Sequence, residues 1–282
     1  MKGPIVTSNI CFKGGTAVIT GAAGGVGGGL ARKAASLGMN LVLADLDAGQ
    51  LDAFAATLDT EVLTVSTDVT DPIAMENLAE QAWQRFGRVD LLFNNAGVMS
   101  AGLLWEISPE NFRRCFSINV LGIHHGIRAF VPRMLKAGCP SHIVNTASLG
   151  GFVSSPMMAP YNASKSAAVF LTEALYVELN MVQASIGVSV LDPGPVRSGI
   201  FNAPFGDGGG NPAVRQFIDG IHHHITGGGG ITPDQSAENT FAGIEAGEFW
   251  ILPYREPFDT LLRQRTEGIL ARRPPRIAAT ES

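Results

Sequence analysis

Thr16-Ala17-Val18-Ile19-Thr20-Gly21-Ala22-Ala23-Gly24-Gly25-Val26-Gly27-Gly28-Gly29-Leu30 runs from a short apolar, β-branched segment through a glycine cluster into residues 30–37 at helical period. Strand, glycine turn, helix is the reading. The alternation continues outward, with strands at 41–44, 62–66 and 91–93 separated by helices near 50–58 and 73–86, the second started by Pro72 after Asp71. Gly28 and Gly29 extend the run into the helix, where each costs about 1 kcal/mol relative to alanine, and the sequence offers no reason for them.

Further on come a helix-rich stretch at 108–136, a strand at 143–146, a long helix at 161–182 and a strand at 188–191. Strands alternating with helices imply a parallel sheet covered on both faces, a doubly wound α/β fold of Rossmann-like type. After Pro193 the pattern loosens through three more prolines and two glycine runs, with a short helix at 215–224. A loop of that length is usually functional, so 197–233 is read as a substrate-binding lid. Order returns with a helix at 233–246, a strand at 249–252 and a helix at 258–271 opening a C-terminal tail to 282. With no internal linker, 1–282 is read as one domain.

The chain has 282 residues, 45% hydrophobic and 16% charged, which is ordinary for a globular protein and long enough to bury a core without disulfides. No apolar run reaches the length of a bilayer span, no secretory leader is legible at the start, and the cytoplasm is the expected location. Cys11, Cys115 and Cys139 show no metal-ligand spacing and read as free thiols. A net charge of −5 gives no basic footprint for nucleic acid, leaving small molecules or further copies of the chain as partners. His222, His223 and His224 are adjacent and point different ways on one helical turn, so they read as a solvated polar turn rather than a metal site.

A glycine turn between a strand and a helix is where a dinucleotide pyrophosphate lies against free backbone N–H groups, which nominates Gly21, Gly25, Val26 and Gly27. Asp45 ends the second strand about 20 residues further on, where a carboxylate accepts from ribose hydroxyls and repels a 2′-phosphate. This favours NAD over NADP, with Arg32 and Lys33 weighing the other way. Asp68, ending the third strand, is assigned to the adenine edge with Val69 beside it; otherwise Asp68 shapes the turn before Asp71.

Tyr161 and Lys165 stand four apart at a helix start, so phenol and ammonium share one face. Tyrosine, with a pKa of about 10, is a poor base at neutral pH, and a nearby cation favours its phenolate. Ser148 follows the 143–146 strand at the carboxyl end of the sheet and is placed to hold a substrate oxygen. Alone, such a pair is ordinary surface decoration and such a serine an ordinary turn residue. Their joint appearance behind a glycine turn gives them a meaning.

Taken together, these residues resemble the short-chain dehydrogenase/reductases, in the branch with chains of about this length, over residues 14–253. Thr20-Gly21-x-x-x-Gly25-x-Gly27 is similar to the family's cofactor turn, Asn94-Asn95-Ala96-Gly97 to its fourth-strand motif, and Pro193-Gly194 to its motif after the sixth strand. Asn119, Ser148 and Tyr161-x-x-x-Lys165 are similar to its active site. The resemblance implies that Tyr161 is the general acid/base, that Lys165 holds the nicotinamide ribose and lowers the tyrosine pKa, and that Ser148 orients the substrate. It also implies that Asn119 keeps a water in the proton path from Lys165, and that Asn95, Ala96, Gly97, Pro193, Gly194, Val196 and Ser198 line the cofactor. Ser198 stands where the family usually has threonine.

The activity so implied is interconversion of a secondary alcohol and a ketone, the alternatives being an NAD(H)-binding redox sensor without turnover and a sugar-nucleotide epimerase or dehydratase. Self-association into a dimer or tetramer, through helices in 108–136 and 161–182, is part of the resemblance. Phe152, Met157, Met158, Phe201, Phe205 and Phe217 are assigned to an apolar pocket roomy enough for rings. Phe130-Val131-Pro132-Arg133-Met134 and Trp250-Ile251-Leu252-Pro253-Tyr254 look like a bacterial group that oxidises bulky aryl or terpenoid alcohols, lignin-fragment Cα-dehydrogenases among them.

Overall fold

The structure, a computed structural model, describes residues 10–201 and 211–275. Seven strands, β1 (Thr16–Thr20), β2 (Asn40–Asp45), β3 (Val62–Ser66), β4 (Leu91–Asn94), β5 (Ser141–Thr146), β6 (Ile186–Leu191) and β7 (Trp250–Ile251), form one sheet. Every pairing is parallel, in the order β3-β2-β1-β4-β5-β6-β7. The order reverses between β1 and β4, which opens a crevice at their carboxyl ends where such folds bind ligands.

One face of the sheet is covered by α1 (Gly25–Ser36), α2 (Ala48–Ala55) and α8 (Pro233–Glu245), packed on Ile19, Leu41 and Phe93. The other carries α3 (Pro72–Phe86), α5 (Gly122–Ala137) and α6 (Ala159–Met181), packed on Val18, Leu92 and Ile143. Strands buried on both faces read as mostly apolar runs rather than alternating ones, and β1, β4, β5 and β6 are buried along their whole length, β5 carrying buried Ser141, His142, Asn145 and Thr146 as well. The remaining helices are α4 (Pro109–Phe116), α7 (Pro212–His224) and α9 (Arg255–Leu270). No helix among the described residues is long and apolar enough to cross a membrane.

Several boundaries differ from the sequence reading for local reasons. Proline at the first or second position draws the starts of α6 and α7 back to Ala159 and Pro212. Asp47, Asp71, Ser108, Asn211 and Thr232 cap their helices with side-chain oxygens, each worth about 1 kcal/mol. The last strand shrinks to two residues, and the helix-rich 108–136 stretch is interrupted by a π turn at Ser117–Leu121 that carries Asn119. Among the residues assigned to the pocket, Phe205 and the side chain of Phe201 lie outside the described part, as does the 208–210 glycine run.

The glycine run acquires its explanation here. A β-carbon on Gly27 would collide with the Gly21 carbonyl oxygen, and one on Gly29 with the Pro233 carbonyl at the start of α8. Gly29 therefore lets two helices touch backbone to backbone. At Gly28 a β-carbon would meet only ordinary contacts, 3.5 Å from Arg32 and Phe54, so nothing in its surroundings demands glycine.

Candidate active site

The glycine turn is bolted to the end of β4. Thr20 Oγ1 accepts from the N–H groups of Asn95 (3.0 Å) and Ala96 (3.1 Å) and donates to the Phe93 carbonyl (3.2 Å). Asn95 Nδ2 donates to the carbonyls of Thr20 (2.9 Å) and Gly21 (3.3 Å). The Asn95 amide thus braces the turn through side-chain to backbone bonds. Asp45 adds a third tie, its two oxygens accepting from the N–H groups of Ala23 (3.0 Å) and Leu46 (2.8 Å).

Arg32 and Lys33 do not turn towards Asp45. They form ion pairs with Asp234 and Glu238 of α8, each at 2.6 Å. Asp68 accepts from the N–H and hydroxyl of Thr70, both at 2.8 Å, which is the turn-shaping role before Asp71. Val69 is buried, its carbonyl 2.9 Å from His125 Nδ1. Beyond β6, the Val196 N–H donates to the Gly194 carbonyl (2.9 Å), and Ser198 lies beside Gly25, its Cβ 3.2 Å from where a β-carbon on that glycine would stand. The base of the predicted lid therefore borders the glycine turn.

Ser148 caps the short turn Leu149–Gly151, accepting from the Gly150 N–H at 3.2 Å, and its hydroxyl faces the Tyr161 phenol in the sense that favours the phenolate. Lys165 Nζ donates to the Thr146 carbonyl (2.8 Å) and lies 5.8 Å from the centre of the Tyr161 ring, on the face that their spacing predicts. Both side chains are buried. Burial pushes the phenol up to about 12 against the opposing Ser148 hydroxyl, and brings the lysine down to about 8. Burial thus favours the protonated phenol.

Asn119 is fully buried, and its amide joins elements rather than facing Lys165. Its Oδ1 accepts from the Val98 N–H (2.8 Å), while Nδ2 donates to the Val98 carbonyl (2.9 Å) and Ser164 Oγ (2.9 Å). Ser164 in turn donates to the Tyr161 carbonyl (2.7 Å), so the π turn, the segment after β4 and the first turn of α6 are locked together. Ala96 and Gly97 sit between the two systems, and a β-carbon on Gly97 would touch both Asn119 Oδ1 and Lys165 Nζ at 3.3 Å.

Tyr161 is packed with Met99, Cys115 and Met158, and Ile200, Phe217, Ile218 and Ile221 close over them, the last three from α7. Met158 and Phe217 thus meet the site as assigned. Phe152 does not: it stacks edge-on with Trp250 (5.8 Å) and Phe258 (5.2 Å) and packs with Ala147, Val169 and Val190. Met157 has a positive φ of 61° and spends its carbonyl on the Gly102 N–H (2.8 Å). Sequence reasoning passed over Ser164, inside the Tyr161-x-x-x-Lys165 spacing, Cys115, four residues before Asn119, and Asp192, directly before Pro193-Gly194. Position within a motif was the only signal for any of them.

Comparison with known proteins identifies the family. The family model described as short chain dehydrogenase matches residues 15–205. A curated relative, the 1-deoxy-11-beta-hydroxypentalenate dehydrogenase of Streptomyces arenae, is 38% identical over 216 residues, 73% of this chain and 76% of its own. The C alpha-dehydrogenase of a Sphingobium species is 33% identical over 257 residues, 87% of this chain and 82% of its own. These match the bacterial group that the sequence resembles. The crystal structure of a short-chain dehydrogenase/reductase from Burkholderia phymatum in complex with NAD superimposes with a TM-score of 0.89 at 39% identity, covering 96% of this chain and 99% of that one. The chain belongs to the short-chain dehydrogenase/reductase family and is an oxidoreductase.

Proposed function

We propose that this chain is an NAD(H)-dependent oxidoreductase that interconverts an apolar or ring-bearing secondary alcohol and its ketone, with Tyr161 as general acid/base. The observation that carries the reading is the buried Tyr161 phenol, faced by Ser148 and one helical turn from buried Lys165, under an apolar cover.

The residues present fit a dinucleotide. Gly24 leaves the first turn of α1 without a side-chain cap, so its N–H groups are available to a pyrophosphate. Asp45 stands beside that turn with lone pairs for ribose hydroxyls, and the pairing of Arg32 and Lys33 with α8 removes the nearby cations that would attract a 2′-phosphate. Gly21, Gly25, Val26, Gly27, Ala96, Gly97, Pro193, Gly194, Val196 and Ser198 complete the proposed cofactor surface, with Val69 and Asp68 at its adenine end.

Bound NAD supplies the hydride acceptor. Ser148 holds the substrate oxygen while Tyr161 Oη takes the hydroxyl proton during oxidation and returns it during reduction. Lys165, held by the Thr146 carbonyl, is mostly ammonium below pH 8 and favours the phenolate through its charge. Asn119 fixes the first turn of α6, and with it the tyrosine, through Ser164. Segment 197–233 serves as the lid, and α7 presents Phe217, Ile218 and Ile221 to the apolar part of the substrate. Exposed Phe170, Val177 and Met181 along α6 support self-association through that helix.

The test is turnover of a panel (1-phenylethanol, cyclohexanol and 2-octanol) with NAD, alongside NADH fluorescence. Tyr161→Phe is expected to bind NADH and to lose about 10²- to 10⁴-fold in kcat. Wild-type turnover by that variant sinks the mechanism, and NADH binding without turnover of any alcohol favours a redox sensor.

A further inference from the structure

Among the described residues only two carboxylates are buried, Asp90 and Asp192. Asp90 has the conventional compensation, a guanidinium from Arg88 and the Thr16 N–H at 2.8 Å. Asp192, which continues β6 and is 5% exposed, has no cation within salt-bridge distance among the described residues. A buried carboxylate without an ion-pair partner is costly unless backbone donors converge on it.

Here they do. The Gly194 N–H donates to Asp192 Oδ1 at 3.2 Å, and the Leu149 N–H and the Lys165 charge also favour the carboxylate, while burial pushes the carboxyl up. Those donors belong to the two turns that matter most at this end of the sheet, Pro193-Gly194 and Ser148-Leu149. The outer side of Gly194 is covered by the Tyr254 ring, against which any β-carbon would collide, so the turn is held from both sides. The ionisable groups facing Asp192 are Lys165 and Tyr161 from α6 and Tyr254 from the segment after β7; Cys115 of α4 faces the Tyr161 and Lys165 pair.

We propose that Asp192 is a positioning residue of this site: its carboxyl group clamps the Ser148 turn to the Pro193-Gly194 turn and, when ionised, places a negative charge behind the Tyr161 and Lys165 pair. The inference rests on the acid/base reading of Tyr161. Removing the charge relieves electrostatic opposition to the phenolate, because Asp192 acts on Tyr161 in the direction that raises its pKa. An asparagine retains an oxygen for the two N–H groups and loses the charge, whereas an alanine loses both.

The experiment uses the full chain, NAD and the panel alcohol that turns over fastest, with kcat and both KM values measured from pH 6 to 10 for wild type, Asp192→Asn and Asp192→Ala. In Asp192→Asn the midpoint of the rise in kcat with pH is expected to move to lower pH. In Asp192→Ala, kcat is expected to fall about ten- to hundredfold, more than KM changes, as for a misplaced reacting group. An unmoved midpoint in Asp192→Asn, or wild-type kcat in Asp192→Ala, overturns the proposal. If the alanine variant fails to fold, the midpoint in the asparagine variant decides alone. Tyr161→Phe assayed in parallel separates the two ideas: wild-type turnover there breaks the acid/base reading, while an inert Tyr161→Phe beside unaltered Asp192 variants breaks only this one.

Discussion

The glycine-turn half of the crevice and the α7 half meet over the same strand ends, but different forces hold them. The first is fixed by directional bonds: Thr20, Asp45 and Asn95 tie the turn to β2 and β4 through six hydrogen bonds to backbone groups. The second is laid on chiefly by apolar contact, with Phe217, Ile218 and Ile221 resting on Met99, Met158 and Tyr161, and a hydrogen bond from Asn211 Nδ2 to Glu106 (3.2 Å) at the start of α7. Hydrogen bonds to fixed backbone fail if geometry drifts, whereas apolar contacts tolerate sliding and repacking. That difference suits a cofactor of constant shape on one side and an exchangeable substrate on the other.

Acid probes the polar contribution most strongly. His142 is buried in β5 with Nε2 2.7 Å from Ser189 Oγ, and burial brings its pKa down to about 3. With an unfolded value of about 6.5, the unfolded chain binds a proton between these limits that the folded chain refuses. This contribution to stability is therefore complete above pH 6.5 and is lost as pH falls towards 3, at up to about 1.4 kcal/mol per unit. Urea midpoints for wild type and His142→Gln should diverge in slope over that window; parallel slopes would remove His142 from the account.

Gly29→Ala tests the rigid half directly. Its β-carbon meets the Pro233 carbonyl, so α1 and α8 must separate, at an expected cost of about 1–3 kcal/mol despite alanine's better helix propensity. Thermal unfolding measures it, and an unchanged or raised Tm would show that the close approach is dispensable. The smallest effect is expected on the apolar half. Ile221→Ala should leave Tm nearly unchanged and shift the ratio of kcat/KM between 1-phenylethanol and 2-octanol by up to about tenfold, the scale of a methylene or two in an apolar pocket. A large loss of stability there would mean that α7 is part of the core.

The rigid half was also the more legible. Strand cores, the glycine turn and the Tyr161 to Lys165 spacing depend on neighbours within a few residues, and periodicity reports those. Gly29 was opaque because its reason sits at Pro233. Asn95 and Asp68 were assigned to a ligand, yet their side chains serve nearby backbone groups, a competition that the sequence does not display. Phe152 and Phe217 look alike as letters, and only the fold sends one to Trp250 and the other to Tyr161. Asp192 escaped notice because a carboxylate ending a strand is usually solvated, and its burial follows from three separate segments converging on it.

The parallel bridge between Val196 and Ile231 has an engineering consequence. The Arg197 N–H donates to the Ile231 carbonyl and the Ile231 N–H to the Pro195 carbonyl, both at 2.9 Å, so the segment leaves and rejoins the scaffold at one fastened point. For an excursion with joined feet, doubling the contour adds only about 0.6 kcal/mol of closure entropy. A segment of different length spliced between these feet is therefore expected to leave the register of the sheet unchanged and, on the proposed function, to alter which alcohol is accepted.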